Sequence, residues 1–306
     1  MPDPTLPTAR RRRDRCPGVT RPWLADDGAL VRLRLVGGAL PAPALLRLSE
    51  VAQRWGDGDV HLTARANLQL RALPHDADRL TPPVAEALAA TGLVPAPSHD
   101  LVRNVMVSPQ SGLAGGRADL RPVAALLDTL LRADDDLTAL PGRFLMTLDD
   151  GRGDLHEAPT DLGLVALDAT RAQLRVGARG WGAVVDLPRA PQAVLDLARD
   201  FLRLRGGGPD APWHVDELAG LGVPLAHPLA RPTDPDPAAL VTADPLPAGR
   251  VPGGTHVLAP EGRLDPALAR ALCRTGTDLV VTPWRGVLVP DLAPAPAPAP
   301  AQETTR

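Results

Sequence analysis

An α+β fold is predicted by three features of the chain. Residues Val60 to Arg71 alternate apolar and polar without a break, the period of a strand with one buried face. Strand and helix patterns follow one another as strand, helix, strand, helix from Ala29 to residue 91. The same order returns in shortened form after Gly262. A unit of this kind has a ferredoxin-like shape, with helices on one face of a sheet.

From the N-terminus, Arg10 to Arg13 make a basic arm with no apolar segment behind it, so residues 1–20 read as a disordered arm and not as a secretory signal. From Ala29 to Val36, Val31, Leu33 and Leu35 face one way and Arg32 and Arg34 the other, until Gly37-Gly38 ends the strand. Pro41 or Pro43 suits a helix start, and Leu45, Leu46, Leu48, Val51 and Ala52 supply its apolar stripe. Gly56-Asp57-Gly58 turns the chain into the Val60 strand, and residues 76–91 read as a second helix. These parts make a first half-domain over residues 21–95.

Residues 96–205 read as a second unit. Strands are expected at Val102 to Ser108, Arg143 to Leu148, Leu162 to Leu167, Gln173 to Val176 and Ala183 to Val185. Helices are expected at Leu120 to Leu131 and Gln192 to Arg205, and the glycine-rich loop Ser111 to Gly116 could bring backbone amides to an anion. Residues 206–253 are crowded with Pro and Gly and read as linker, with one short helix near Val215 to Leu221. Residues 254–292 hold the shortened copy, with a helix from Pro266 to Cys273 and an apolar stretch from Leu279 to Val289. Ala-Pro alternation fills the 293–306 tail, as in an extended polyproline-like segment.

With 306 residues, 44% of them hydrophobic, the chain can bury one large core or two modest ones. A net charge of −3 excludes a generally basic nucleic-acid binder. No apolar run reaches the roughly eighteen residues of a membrane span. The basic residues are all Arg, and Lys and Ile are absent. Two cysteines, Cys16 and Cys273, make no disulfide framework, which suggests a reducing compartment such as the cytoplasm. The seven His residues show no metal-ligand spacing, so no metal site and no catalytic residue is assigned.

In the Val60–Arg71 stretch the polar set is His61, Thr63, Arg65, Asn67, Gln69 and Arg71. Such a face is either the solvated side of an antiparallel sheet or a platform for a carboxylate-rich ligand, since guanidinium groups suit carboxylates. A resemblance favours the platform. Thr63-Ala64-Arg65-Ala66-Asn67-Leu68-Gln69 resembles the T-x-R-x-N-x-Q strand of the sirohaem-dependent sulfite and nitrite reductase superfamily. Arg32-Leu33-Arg34-Leu35-Val36-Gly37-Gly38 resembles its R-L-P-G-G turn, Arg103-Asn104-Val105 its R-N-V strand, and Leu140-Pro141-Gly142-Arg143-Phe144 its L-P-R-K-F segment. Arg15-Cys16-Pro17-Gly18 and Leu148-Asp149-Asp150-Gly151 point within the superfamily to the precorrin-3B synthase branch of cobalamin biosynthesis.

The resemblance implies two ferredoxin-like half-domains about a pseudo-twofold axis, with a nitrite/sulfite reductase-like domain at 96–205. It implies an oxidoreductase acting on a tetrapyrrole, with sirohaem or a relative as cofactor. Arg34, Arg103 and Arg143 would stand at three of the four basic positions around the bound anion. Leu145 stands at the fourth, where the reductases have Lys, which argues for a large carboxylated substrate over a small dianion. Thr63, Arg65, Asn67, Gln69 and Asn104 would line the macrocycle's site. The [4Fe–4S] cluster expected for the family needs four Cys thiolates, which this chain cannot supply. The cluster repeat would then come from a second chain, or the protein would be a tetrapyrrole-binding module, or a reductase fragment, without redox chemistry of its own. In the second copy Trp284 and Gly286 replace Arg65 and Asn67 and Pro283 interrupts the ladder, so that copy is expected to pair with the first and not to bind.

Overall fold

The computed structural model describes residues 16–208 and 210–291. The expected basic arm before Cys16 and the Ala-Pro tail lie outside the described residues. The fold is α+β, built on three five-stranded sheets.

In the first half, β1 (Trp23–Ala25) and β2 (Gly28–Leu33) pair as a hairpin. A turn at Val36–Gly38 leads to β3 (Ala39–Leu40) and α1 (Ala42–Trp55), which begins behind Pro41. The expected stripe of α1 is buried through Leu45, Leu48, Val51 and Ala52. Then come β4 (Val60–Leu62) and β5 (Leu68–Leu73).

The alternating stretch Val60–Arg71 is therefore not one strand. It folds back on itself, with His61 opposite Gln69 and Leu62 opposite Leu68. Thr63 N donates to Asn67 O at 2.9 Å, and Thr63 Oγ1 accepts from Asn67 N at 3.2 Å and from Arg65 N at 3.3 Å. Ala66 takes the left-handed φ of 53° that closes such a short loop. A second correction concerns residues 76–91. The helix α2 (Pro82–Ala90) starts only behind Thr81, after the small hairpin of β6 (His75–Asp76) and β7 (Arg79–Leu80). Pro82 and Pro83 lack the N–H that a helix interior needs, so they sit in its first turn.

The middle unit runs β8 (Val105–Val107), α3 (Arg121–Arg132), β9 (Met146–Asp149), β10 (Leu162–Ala166), β11 (Arg171–Val176), β12 (Gly180–Asp186) and α4 (Ala190–Arg205). Its sheet order is β12-β11-β10-β9-β8, parallel from β8 to β10 and antiparallel beyond. α3 and α4 pack on this sheet around Phe144 and Phe201, whose ring centroids lie 5.1 Å apart.

The stretch read as linker is a cover. It contains α5 (Val215–Gly220) and then crosses the sheet, where Gln173 Nε2 donates to Asp234 O at 2.9 Å and Gln173 Oε1 accepts from Asp236 N at 2.8 Å. Ala239 is buried against Val165 and Leu167. Proline keeps this stretch out of the ladders without keeping it off the sheet.

The second half holds β13 (Gly249–Val251), β14 (Gly254–Leu258), β15 (Arg263–Leu264), α6 (Pro266–Leu272), β16 (Leu279–Val281) and β17 (Gly286–Pro290). Its sheet thus begins inside the supposed linker. The halves exchange strands: β15 joins β4 in the first sheet and β3 joins β16 in the second. Their apolar side chains make one core, from Val31 and Leu45 to Leu264, Val281 and Val287. The repeat reaches single dihedrals. Gly38 and Gly262 share φ near 70°, at 70° and 71°, and Ala66 and Arg285 have 53° and 55°. The Thr282 hydroxyl accepts from Gly286 N as that of Thr63 does from Asn67 N.

Candidate functional site

The turn carrying Arg65 lies against the middle unit. Arg65 Nη1 donates to Arg143 O at 2.7 Å. Arg32 on β2 and Arg143 both lie close enough to lower the Arg65 pKa, after burial, which is the larger cause; Cys16 and Asp161 oppose it. Burial also lowers the pKa of Arg32. The buried Arg32 Nε has no hydrogen-bond partner among the described residues. These three guanidinium groups, two of them (Arg32 and Arg65) desolvated and Arg143 exposed, make a cationic cluster in which Asp161 is the carboxylate that acts on Arg65 among the described residues. Desolvated cations without matched anions are stabilised by an anionic ligand.

The other expected site residues are placed differently. Arg34 is almost fully buried, and its guanidinium donates to three carbonyl oxygens, Pro17 O (3.2 Å), Asp100 O (3.0 Å) and Gly142 O (3.2 Å). Arg103 forms a bidentate pair with Asp128, at 2.6 and 3.2 Å, and Arg132 shares that carboxylate. Asn67 Nδ2 donates to Asn104 Oδ1 at 3.1 Å, Asn67 Oδ1 accepts from Leu35 N, and Asn104 Nδ2 donates to Gly142 O. Thr63 caps the hairpin loop. The Gln69 amide oxygen, oriented to satisfy both groups, accepts from Arg71 Nε at 2.8 Å. Arg34, Asn67, Asn104 and Gly142 thus fasten the first half to the middle unit, while Arg65 and Arg143 remain at the cationic cluster. Because the polar stretch is a hairpin, its side chains do not form one flat platform.

Leu145 is fully buried with Met106 and Leu155, so apolar packing fills the position at which the resemblance would place a Lys. The glycine-rich loop is held from within the protein. Ser111 Oγ donates to Ala118 O and Arg152 Nη2 to Ala114 O. A cavity of about 710 Å³ has Arg34 and Arg103 in its wall but not Arg65 or Arg143. Its other walls are mainly apolar, including Leu35, Val36, Leu93, Val107 and Val280.

Several site residues escaped the sequence reading. Arg32 was visible as an outward residue of its strand, but the turn motif drew the assignment to Arg34. Asp161, Trp213 and His214 carried no signal. Asp161 Oδ2 accepts from Leu145 N at 2.8 Å and its Oδ1 from Val215 N at 3.1 Å, and His214 Nε2 lies 3.6 Å from that oxygen. Burial pushes the Asp161 carboxyl up to about 6, with His214, the two amides and Arg65 pulling the other way.

Two thiols do not fit a four-thiolate cluster. Cys273 Sγ, half-buried behind α6, faces Ala42 O at 3.4 Å, whereas Cys16 lies beside Arg32 and Arg65. Among the described residues no group of three or more His, Cys, Asp and Glu could hold a metal ion. None of their helices is long and apolar enough to cross a membrane.

Comparison with known proteins adds relatives to this geometry. Residues 24–90 match the model of the nitrite/sulfite reductase ferredoxin-like half domain. A precorrin-3B synthase from Sinorhizobium is 33% identical over 147 residues, 47% of this chain and 30% of the relative. A ferredoxin–nitrite reductase from Synechococcus elongatus is 37% identical over 141 residues, 44% of this chain and 27% of the relative. The matched stretch thus spans less than a third of either curated relative. The structure of the Mycobacterium tuberculosis NirA protein superposes with a TM-score of 0.65 at 20% identity, over 91% of this chain and 59% of that one, a likeness of fold.

Proposed function

The chain belongs to the nitrite/sulfite reductase superfamily, and from that premise we propose that it binds a carboxylated tetrapyrrole as a precorrin-3B synthase-like component of cobalamin biosynthesis. The observation that carries this reading is the meeting of Arg32, Arg65 and Arg143, with a buried Arg32 Nε lacking a partner among the described residues. Arginine receives carboxylates through paired, charge-assisted donors. A macrocycle edged with carboxylates offers several such acceptors at once. The apolar filling of the Leu145 position supports a large substrate over a small dianion, which needs dense charge around it.

Sirohaem or a related tetrapyrrole fits this donor set through its carboxylates, and when bound it would supply redox-active iron. Arg32, Arg65 and Arg143 would hold and orient the ring. Asp161, with its raised pKa, would carry a proton close to Arg65 below about pH 6. Two thiols, Cys16 and Cys273, do not fit a [4Fe–4S] cluster. That shortage favours a second reading, a tetrapyrrole-binding module whose redox chemistry resides on a partner chain.

Fluorescence titration with uroporphyrin tests the binding step. Arg65→Ala should weaken binding about tenfold to a hundredfold, since a hydrogen bond to a charged group is worth about 1.5–3 kcal/mol. Equal binding by the two proteins, or none by either, would remove the proposal.

A further inference from the structure

The segment after α4 carries Trp213 to the arginine cluster, and a single buried carboxylate fixes both sides of that meeting. The Arg143 guanidinium lies 5.8 Å from the centroid of the Trp213 ring, within the range of a cation–π contact. Asp161 accepts from Leu145 N, two residues beyond Arg143, through Oδ2, and from Val215 N, two residues beyond Trp213, through Oδ1. The Asp161 side chain is only 1% exposed, so these amides are bonded in a place that water barely reaches. Other bonds seat the same segment. Arg205 Nε donates to Pro212 O at 2.8 Å, and Trp213 N to Glu217 Oε2 at 3.2 Å. His214 Nδ1 accepts from Asp216 N at 3.1 Å, which leaves the proton of a neutral ring on Nε2, the nitrogen that faces Asp161.

Arg143 itself is exposed, and its long side chain would otherwise sample many rotamers. The ring limits that freedom, and Asp161 determines where the ring stands. We infer that Asp161 is a positioning residue for the arginine cluster, and that Trp213, held by it, keeps Arg143 directed toward Arg65 and so selects rigid polycarboxylates over flexible ones. This inference rests on the reading of the cluster as a carboxylate site. Its first step, the placing of Arg143, does not depend on any ligand.

Two measurements on the full chain test it. In ligand-free protein the Arg143 Nε–Hε resonance, assigned with Arg143→Gln, should carry a ring-current shift. Trp213→Ala and Asp161→Asn should abolish that shift, Trp213→Phe should keep part of it, and Arg65→Ala should leave it alone. Asp161→Asn is read only after its folding has been checked by circular dichroism. Trp213→Ala, which removes a half-buried ring but neither amide bonded by Asp161, is the second variant, and its folding is checked in the same way. In the second arm, Trp213→Ala should weaken uroporphyrin binding about tenfold while changing binding of citrate, a small flexible tricarboxylate, less than twofold. Trp213→Phe should restore most of the difference. An unchanged Arg143 resonance in Trp213→Ala overturns the inference, and so does equal weakening for both ligands. Failure of wild type and Arg65→Ala to differ with uroporphyrin overturns the carboxylate site itself, whatever the resonance does.

Discussion

Replacing Arg34 by Met separates a structural clamp from a ligand. The side chain joins residues 17, 100 and 142 through three bonds of 3.0–3.2 Å to carbonyl oxygens. Bonds from a charged donor contribute about 1.5–3 kcal/mol each, so the three together fall at roughly 4–9 kcal/mol. The lower end applies here. Met also removes the desolvation cost of a buried guanidinium, and the Arg34 side chain borders the cavity of about 710 Å³, so its replacement is partly reached by water. A loss of about 4 kcal/mol in a domain of this size lowers Tm by roughly 10 °C. Thermal unfolding followed by circular dichroism should show that drop in Arg34→Met, with uroporphyrin affinity per folded molecule within about threefold of wild type. Arg65→Met should do the reverse. An unchanged Tm with lost affinity in Arg34→Met would refute the clamp and return Arg34 to the role that the family motif implies.

Two further predictions concern stability. Burial, and then the charge of Asp149, raise the Asp154 carboxyl to about 7 from 3.8. A folded pKa above the unfolded one gives stability that is complete below about pH 4 and is lost as pH rises toward 7. Asp154→Asn keeps an acceptor for Ser108 Oγ and should stabilise the protein more at pH 8 than at pH 5, by about 2–3 kcal/mol in urea unfolding; equal gains would contradict the buried charge. Gly38 and Gly92 both have positive φ, but a Cβ on Gly38 would strike the Val281 carbonyl whereas one on Gly92 meets open space. Gly92→Ala should cost about 1–2 kcal/mol and Gly38→Ala clearly more. Similar losses would mean that the strand exchange tolerates displacement.

What could be read from the sequence follows the range of each interaction. The strand Ala29–Val36, the Gly37-Gly38 turn and the stripe of α1 depend on neighbours a few positions away, and each lies near its expected place. The hairpin at Thr63–Asn67 was hidden because an alternation of period two continues through a short loop, and nothing in it marks a reversal of direction. Asp161 was hidden for a different reason, since its contact with Val215 spans 54 residues and neither residue type signals it. The linker reading mistook a shortage of ladder hydrogen bonds for a shortage of contacts, and Gln173 shows the difference by bonding Asp234 and Asp236 through its side chain.

The duplication within the chain provides its own comparison of scaffold with site. In the sheet register Arg32 lies opposite Gln69, and His256 opposite Leu288. With Thr63 matched to Thr282, Arg32 then corresponds to His256, Arg34 to Leu258, Arg65 to Trp284 and Asn67 to Gly286. What both copies keep is what the backbone requires: the threonine hydroxyl under the loop, the positive φ after it and the glycine at the strand exchange. What the copies do not share has to be explained by each half's surroundings. Arg34 and Asn67 are explained by the middle unit they bind, since Arg34 is 2% exposed whereas Leu258 is 47% exposed. His256 is likewise engaged, with Thr282 Oγ1 at 3.0 Å. Arg32 and Arg65 are half-buried cations, near each other and Arg143 and only partly compensated by the Arg143 carbonyl, Cys16 and Asp161, in a position that the second copy fills with an imidazole and an indole. The second copy is built without those charges, so the backbone does not require them, and the anionic ligand proposed above is what would offset their desolvation.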